Sequence, residues 1–332
     1  MKRSSWFFIS IITAGLLYIL LLNVGLYRNP DHRQEHHVMV VLKATVQPMD
    51  FWDVVKTGME EAAREHTLQL SFIGPPHEQM VDLQVELMLE GIEQEPDLII
   101  LAAGDVDLLV DPIARAHEKG IAVIIIDSGT ASSLPISFVA TDNIEAGIRA
   151  GTYMGQVLEQ RIPDRPGRIM IMSHSRGITT AIERESGVRR ALEKHEIIGT
   201  WYCDIDHQVA YDLTREVLSM YHIDGIIGLN EVSTLGVADA VSDLGLGGVI
   251  PIVGFDHAAQ EMAYLESGVL EATVVQRPYN MGYISVTQAA RHLQGKPVKP
   301  VVNTGSKLIT RENMFEPKYQ ELLFPFEKLN GL

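Results

Sequence analysis

Hydrophobic residues in this chain fall into short, nearly continuous runs separated by amphipathic stretches. From residue 38 onward, apolar runs such as 38–42, 98–102 and 121–126 alternate with helix-like stretches such as 51–65 and 179–195. Runs that are apolar at every position are typical of strands buried on both faces of a parallel sheet. The alternation therefore predicts repeated βα units. They are too many for one small sheet, so we expect two doubly wound α/β lobes.

Four of the apolar runs stop at a side chain that can form hydrogen bonds with hydroxyl groups. These side chains, which follow runs ending at residues 126, 229, 255 and 275, are Asp127, Asn230, Asp256 and Gln276. Ligands of open parallel sheets sit beyond the carboxyl ends of the strands. The pattern therefore predicts a polar binding site of two carboxylates and two amides. Helix capping is the alternative for Asp and Asn, but Gln276 is a poor cap.

An arginine occupies the apolar stripe of the helix predicted over residues 179–195. Arg184 shares its angular position with Val188, Ala191 and Leu192. We expect its guanidinium to point towards the end of the sheet and to hold two ligand oxygens. Snorkelling to the surface or pairing with an acidic side chain is the alternative.

Two adjacent aromatic residues, Phe51 and Trp52, open the helix predicted over residues 51–65. Neighbouring positions of a helix point in different directions, so we expect only one of the two rings to pack in the core. The other ring is then free to lie over the apolar face of a ring-shaped ligand. A sugar combines such a face with a rim of hydroxyl groups. Packing of both rings in the core is the alternative.

Composition and charge exclude several classes of protein. The chain has 332 residues, of which 46% are hydrophobic, and its mean hydropathy is +0.08, which suits a globular protein of two domains. A net charge of −16 argues against nucleic-acid binding, which needs a basic face. Cys203 is the single cysteine, so neither an internal disulfide nor a Cys/His zinc site is expected. We expect Cys203 to pack as a small hydrophobic residue and predict no metal or cofactor.

Catalytic motifs are missing from the sequence. There is no Gly-x-Ser-x-Gly nucleophile elbow and no phosphate-binding GxxxxGK[ST] loop. Asp127 and Asp256 could form a glycosidase pair, but nothing marks either one as the proton donor. We therefore expect a protein that is not an enzyme.

The N-terminal residues differ in character from the rest. Lys2 and Arg3 precede residues 6–27, which carry no charge and are long enough for a helix to span a bilayer. No Ala-x-Ala cleavage site and no cysteine for lipid attachment follow. The stretch predicts an uncleaved transmembrane signal-anchor, with residues 1–5 in the cytoplasm, residues 28–37 as a tether and the folded part extracytoplasmic. A cleaved signal, giving a secreted or periplasmic protein, is the alternative.

Five segments form a set of motifs in a fixed order: residues 51–63, Ile125-Ile126-Asp127-Ser128, Val139-Ala140-Thr141-Asp142-Asn143, Glu183-Arg184 with Gly187, and Gly254-Phe255-Asp256. Together they resemble the ribose-binding-protein-like solute-binding proteins. The resemblance covers about residues 38–310 and implies the type I periplasmic-binding fold, in which two lobes joined by a three-strand hinge close on a sugar. It implies an N-terminal lobe of residues 38–140 plus 277–303 and a C-terminal lobe of residues 141–276 plus 304–312. Residues 313–332 would form a tail.

The resemblance also implies roles for individual residues. Phe51 and Trp52 would flank the sugar ring together with Asp50, and the residues that bind hydroxyl groups would be Asp127, Arg184, Asn230, Asp256 and Gln276. Ser128, which we include in the ligand-binding set, stands where the ribose-type pattern has an arginine. Met49-Asp50 stands where that pattern has Asn-Pro. These departures argue against ribose itself and favour another monosaccharide or a related polyol.

Two functions follow from the resemblance. The protein would deliver its sugar to the permease of an ABC importer, or it would act as a membrane-anchored sensor that binds the ectodomain of a two-component histidine kinase. The predicted anchor favours sensing, whereas transport is the commoner function in the family. A lactose-repressor-type regulator shares the two lobes, but it needs an N-terminal helix-turn-helix where this chain has an apolar segment.

Overall fold

Two six-stranded sheets organise the part of the chain that the computed structural model describes, residues 36–46 and 50–323. In chain order the strands are β1 (His36–Val41), β2 (Leu68–Ile73), β3 (Leu98–Leu101), β4 (Ala122–Ile126), β5 (Ser137–Ala140), β6 (Arg168–Ser173), β7 (Glu196–Tyr202), β8 (Gly225–Gly228), β9 (Ile252–Phe255), β10 (Ala272–Val275), β11 (Val301–Asn303) and β12 (Lys307–Thr310). The helices are α1 (Asp50–His66), α2 (Val81–Ile92), α3 (Val110–Glu118), α4 (Asn143–Arg161), α5 (Thr179–Ala191), α6 (His207–Met220), α7 (Glu231–Asp243), α8 (Ala259–Ser267), α9 (Pro278–Leu293) and α10 (Pro317–Leu323).

The two sheets have equivalent strand orders. The first sheet runs β11-β5-β4-β3-β1-β2 and is parallel throughout. The second runs β12-β10-β9-β8-β6-β7 and is parallel except for β12, which is antiparallel to β10. Each sheet forms one lobe, so the predicted pair of parallel-sheet α/β lobes is confirmed. In each lobe, the carboxyl ends of the parallel strands lie at one edge of the sheet.

Burial of the strands on both faces explains their apolar sequences. In β1, Val38 and Val40 contribute to one core of the first lobe, whereas Met39 and Val41 contribute to the core on the other face. Successive side chains of a strand point to opposite faces, so a strand covered by helices on both sides needs apolar residues at every position. Each such side chain contributes about 1.5–3 kcal/mol when it is fully buried.

Reciprocal glycine contacts bring two helix pairs close together. In the α1–α9 pair, a Cβ at Gly282 would lie 2.0 Å from the carbonyl oxygen of Val55. In the α4–α5 pair, a Cβ at Gly147 would lie 2.1 Å from the carbonyl oxygen of Arg184, and one at Gly187 would lie 2.2 Å from that of Ile144. The absence of side chains at these crossings therefore fixes the distance between the helices and, with it, the position of Arg184.

Over residues 36–46 and 50–323, the chain passes between the two sheets three times, after β5, after β10 and after β11. Two of these connecting segments lie side by side. The Thr304 amide donates a hydrogen bond to the Ala140 carbonyl oxygen at 2.9 Å, and the hydroxyl groups of Thr141 and Thr304 are 3.5 Å apart. Two of the three connections between the lobes therefore run next to each other.

Three further findings concern the start of β1, the single cysteine and the residues after 313. Strand β1 begins at His36, two residues before its predicted start, because His37 pairs with Gln69 and its amide donates to Asp97. Cys203 is fully buried, as predicted, and burial raises the pKa of its thiol to about 11. Beyond residue 313, Met314 and Leu323 pack in the core of the second lobe, so this part of the predicted tail belongs to the folded domain.

Across residues 36–46 and 50–323, no helix has both the length and the apolar character needed to cross a bilayer. The predicted anchor, residues 6–27, lies outside the described residues.

Candidate functional site

A polar cleft lies between the carboxyl ends of the two sheets and has an empty volume of about 370 Å³, part of which is open to solvent. Both lobes contribute to its walls. The lining residues are Lys43, Phe51, Trp52, Glu78, Asp127, His174, Thr180, Arg184, Asn230, Asp256 and Gln276.

The two predicted aspartates occupy equivalent positions in the two lobes. Asp127 follows β4 and Asp256 follows β9, the third strand from the β11 or β12 edge of each sheet. Both residues have left-handed backbone conformations, with φ of 62° and 79° respectively. Asp tolerates this conformation better than most residues because its short side chain can bond locally. The left-handed turn directs the chain out of the sheet as each carboxylate reaches the cleft.

Lys43 pairs with Asp127 in the wall of the first lobe. Its ammonium lies 2.5 Å from Oδ2 of Asp127 and also donates to the Ser128 hydroxyl group, and all three side chains are buried. The Ser128 hydroxyl in turn donates to Asp127 at 3.0 Å. Ser128 is buried behind the cleft wall and is not among the lining residues. Lys43 thus places a cation beside Ser128, where the ribose-type pattern has an arginine.

Phe51 and Trp52 both line the cleft, and both are buried, with exposures of 8% and 4%. Their rings meet edge to face, with centroids 5.1 Å apart and planes at 88°. The expectation that only one ring would pack in the core was wrong, because both rings belong to a core cluster of the first lobe while both also line the cleft. Helix α1 begins at Asp50, whose side chain lies outside the described part of the chain.

Hydrogen bonds between neighbouring strand ends organise the wall of the second lobe. Asp256 accepts a hydrogen bond from the Gln276 amide at 2.8 Å and from the Glu231 backbone at 3.2 Å. Asn230 forms a capping box with Ser233 at the start of α7, so the capping alternative is correct for this residue. Asn230 nevertheless lines the cleft as well. The Oε1 atom of Gln276 is buried and makes no hydrogen bond within the described residues.

Arg184 reaches the cleft from α5, as its place in the apolar stripe predicted. The side chain is 2% exposed, and its Nε donates to Asn143 Oδ1 at 3.0 Å while Nη1 donates to the Leu229 carbonyl oxygen at 2.8 Å. The guanidinium lies 4.6 Å from the centre of the Phe255 ring. Its hydrogen-bond acceptors among the described residues are neutral, so within that part of the chain neither snorkelling nor pairing with an acid describes it. A guanidinium has five N–H groups, so donors remain for a ligand.

Sequence reasoning missed Lys43, Glu78, His174 and Thr180. Lys43 and His174 follow the apolar runs of β1 and β6, so the strand-end rule applied to Asp127 would have found both. Thr180 and Glu78 have no such signal, because they come from the first turn of α5 and from the loop between β2 and α2.

Burial changes the ionisation of two cleft residues. The pKa of His174 is well below its ordinary value, because burial and the nearby charges of Arg184 and Lys43 disfavour the imidazolium form. His174 Nε2 lies 3.4 Å from the Thr180 hydroxyl, and Nδ1 is buried without a hydrogen bond within the described residues. Burial also raises the pKa of Glu78, although Lys43 acts in the opposite direction. The cleft therefore combines carboxylates, cations, amides and a neutral imidazole.

Direct hydrogen bonds join the two lobes beside the cleft. Gln79 in the first lobe donates to the carbonyl oxygens of Asp204 and Ile205 in the second, at 3.3 and 3.0 Å. The Gly129 amide donates to the Thr179 hydroxyl at 2.8 Å. The two lobes are therefore in direct contact through these residues.

Comparison with known proteins identifies the family. A sequence profile of the family described as "Periplasmic binding protein domain" matches residues 38–297, which is more than half of the chain. The chain belongs to this family. The D-allose-binding periplasmic protein of Escherichia coli is 27% identical over 280 residues, covering 81% of this chain and 86% of that protein. The relatives confirm the periplasmic-binding fold expected from the resemblance.

Two solved structures show the same architecture. A sugar transporter from Clostridium phytofermentans is 34% identical with a TM-score of 0.76, and the match covers 83% of this chain and 99% of that one. An ABC transporter solute-binding protein from Agrobacterium vitis, bound to α-D-tagatopyranose, is 26% identical with a TM-score of 0.81, covering 87% and 99% of the two chains. These proteins are named for binding or transport, in agreement with the non-enzymatic interpretation of the sequence.

Proposed function

We propose that this protein binds a monosaccharide or a related polyol between its lobes and delivers it to an ABC sugar importer. The observation that carries the proposal is the convergence of Asp127, Arg184, Asn230, Asp256 and Gln276 on one cleft with two aromatic rings. Carboxylates, amides and a guanidinium suit a rim of hydroxyl groups, and aromatic rings suit the apolar face of a sugar. The names of the relatives, which include D-allose-binding and tagatopyranose-bound proteins, support the same class of ligand.

The ligand class can be tested with the purified full chain. A thermal-shift screen against neutral monosaccharides and polyols should identify a ligand that raises the unfolding temperature, because a ligand that binds only the folded state stabilises it. Isothermal titration calorimetry would then give the affinity. If no compound of the panel shifts the unfolding temperature or produces heat of binding, the proposal is wrong.

A membrane-anchored sensor that signals to a two-component histidine kinase is the second candidate. It is favoured by residues 6–27, an uncharged stretch after Lys2-Arg3 that is not followed by a cysteine for lipid attachment. A single-pass anchor would keep the folded domain at the extracytoplasmic surface, where a sensor needs only to meet a neighbour in the membrane. Deleting the gene distinguishes the two functions. Loss of sugar uptake supports transport, whereas unchanged uptake with lost induction supports sensing.

A further inference from the structure

Glu78 lines the cleft although it follows no strand directly. It lies in the loop between β2 and α2, and its side chain is only 8% exposed. Surface loops normally carry exposed carboxylates, because burial of a charged group costs free energy unless it is paired and hydrogen-bonded. The position of Glu78 therefore requires a physical reason.

The indole of Trp52 orients this carboxylate. Trp52 Nε1 donates a hydrogen bond to Oε1 of Glu78 at 3.0 Å, and both side chains are buried. Among the described residues, this is the only hydrogen bond that the Glu78 side chain makes, and no ion pair with a lysine, arginine or histidine includes it. One carboxylate oxygen is thus fixed by a neutral donor, while Oε2 keeps its capacity to accept.

The charged groups around Glu78 do not supply a partner for Oε2. Lys43 is the cation that most favours the ionised form of Glu78, but its ammonium is engaged with Asp127 and Ser128. Asp127 and Asp256 act on Glu78 with the opposite sign. A carboxylate in this setting gains most from a hydrogen-bond donor on a bound molecule.

We propose that Glu78 is a further ligand-contacting residue, whose Oε2 accepts a hydrogen bond from a hydroxyl or amino group of the ligand beside Trp52. This inference rests on the proposed function. It adds that the ligand must carry a hydrogen-bond donor at the position beside Glu78. A ligand without a donor at this position would displace solvent from the cleft-facing Oε2 without replacing its hydrogen bond, so it should bind more weakly.

Calorimetry on the purified full chain tests the inference in two steps. D-Allose, D-ribose, D-arabinose and D-tagatose are titrated first, and the tightest binder is then compared with its monodeoxy analogues. We expect Glu78→Gln to weaken binding of the parent sugar at least tenfold. One deoxy analogue should bind the wild type more weakly than the parent sugar does, yet lose little further affinity in the variant. Glu86→Gln, which changes an exposed carboxylate of α2, is the matched control and should bind as the wild type does.

The possible outcomes distinguish the contact from a structural role. If Glu78→Gln binds the parent within twofold of the wild type, or loses affinity equally for every analogue, direct contact is excluded. If Glu78→Gln unfolds below the temperature of the titration, Glu78→Asp takes its place, since it keeps the charge but withdraws the carboxylate. If no sugar binds the wild type, the proposed function fails and this inference fails with it.

Discussion

At the scale of single residues, backbone conformation and burial decide what each cleft side chain can do. Asp256 has a left-handed φ of 79° and accepts two hydrogen bonds, one from Gln276 and one from the Glu231 backbone. His174 is buried among the cations Arg184 and Lys43, which keeps its imidazole neutral. Asp256 leads to a prediction for the affinity of sugar binding, and His174 leads to a prediction for the stability of the folded protein as the pH falls.

Replacing Asp256 by Asn should weaken sugar binding at least tenfold, which corresponds to about 1.4 kcal/mol. Asn tolerates the left-handed backbone, so the variant should fold. It removes the charge and one of two acceptor oxygens, so a donor that now bonds Asp256 loses its partner. Calorimetry measures the effect, with Asp212→Asn on the exposed face of α6 as the control. An unchanged affinity in folded Asp256→Asn would contradict the site.

The neutral state of His174 should make the folded protein less stable in mild acid. The ordinary pKa of an unfolded histidine is about 6.5, and that of folded His174 is well below it. The unfolded state therefore binds more protons in the window between the two values, and stability falls as the pH drops below about 6.5. Relative to His174→Gln, the wild type should lose on the order of 1 kcal/mol of unfolding free energy between pH 7.5 and 5.5.

Urea unfolding at the two pH values measures this difference. His117→Gln, at an exposed position of α3, is the control and should follow the wild type. If the unfolding free energies of the wild type and of His174→Gln change equally between the two pH values, His174 does not cause the loss of stability in acid.

At the scale of elements, strand ends supply the polar side chains, and helix crossings hold them in place. In the second lobe, β6, β8, β9 and β10 are consecutive in the sheet and are followed by His174, Asn230, Asp256 and Gln276. Arg184 joins this row from α5, which packs closely against α4. Its position therefore depends on the small residue at the crossing.

Replacing Gly147 by Ala should damage both stability and binding. The new Cβ would lie 2.1 Å from the Arg184 carbonyl oxygen, so α4 and α5 would have to separate and carry the guanidinium with them. Overpacking of this kind costs about 1–3 kcal/mol of unfolding free energy. Urea unfolding and calorimetry should show that loss together with a weaker affinity for the sugar.

Gly155→Ala in the same helix is the matched control. The nearest atom to its Cβ would be 3.5 Å away, so Ala fits and should stabilise the helix by up to about 1 kcal/mol. If Gly147→Ala and Gly155→Ala change the affinity for the sugar equally, the close crossing of α4 and α5 does not position Arg184.

At the scale of the whole molecule, the two lobes enclose the site only because they meet across it. Gln79 supplies two of the hydrogen bonds between the lobes, and its acceptors belong to Asp204 and Ile205, which have φ of 49° and 58°. Glu78, the neighbouring residue, faces the cleft. The same loop thus contacts both the site and the opposite lobe.

Replacing Gln79 by Ala should favour separation of the lobes and speed release of the ligand. Gln79 is exposed, so we assign its two hydrogen bonds together about 0.5–1.5 kcal/mol and expect the affinity to fall by roughly twofold to tenfold. Stopped-flow measurements would give the dissociation rate, and small-angle scattering would report the separation of the lobes. Gln260→Ala, which removes hydrogen bonds confined to the second lobe, is the control. Unchanged dissociation in Gln79→Ala would exclude this contact from closure.

The sequence predicted the parallel-sheet lobes and five polar side chains of the cleft, because both follow from local rules. Apolar runs identify strands buried on both faces, and the residues after Ile126, Leu229, Phe255 and Val275 lie where such sheets bind ligands. The stripe of α5 likewise indicated the direction of Arg184. The lobe boundaries and the ligand-binding roles stay predictions, and the predicted anchor lies outside the described residues.

Tertiary structure alone decided the rest of the site. No local pattern marks Glu78, because its burial depends on a loop of the first lobe meeting Trp52 from another element. Lys43 brings a cation to Ser128 through a contact across 85 positions of the chain. The sequence by itself determined which elements form and which of their ends are polar, since these depend on neighbours within a few residues. Which side chains share the cleft, and with what ionisation, depends on the packing of distant segments, and only the folded molecule fixes it.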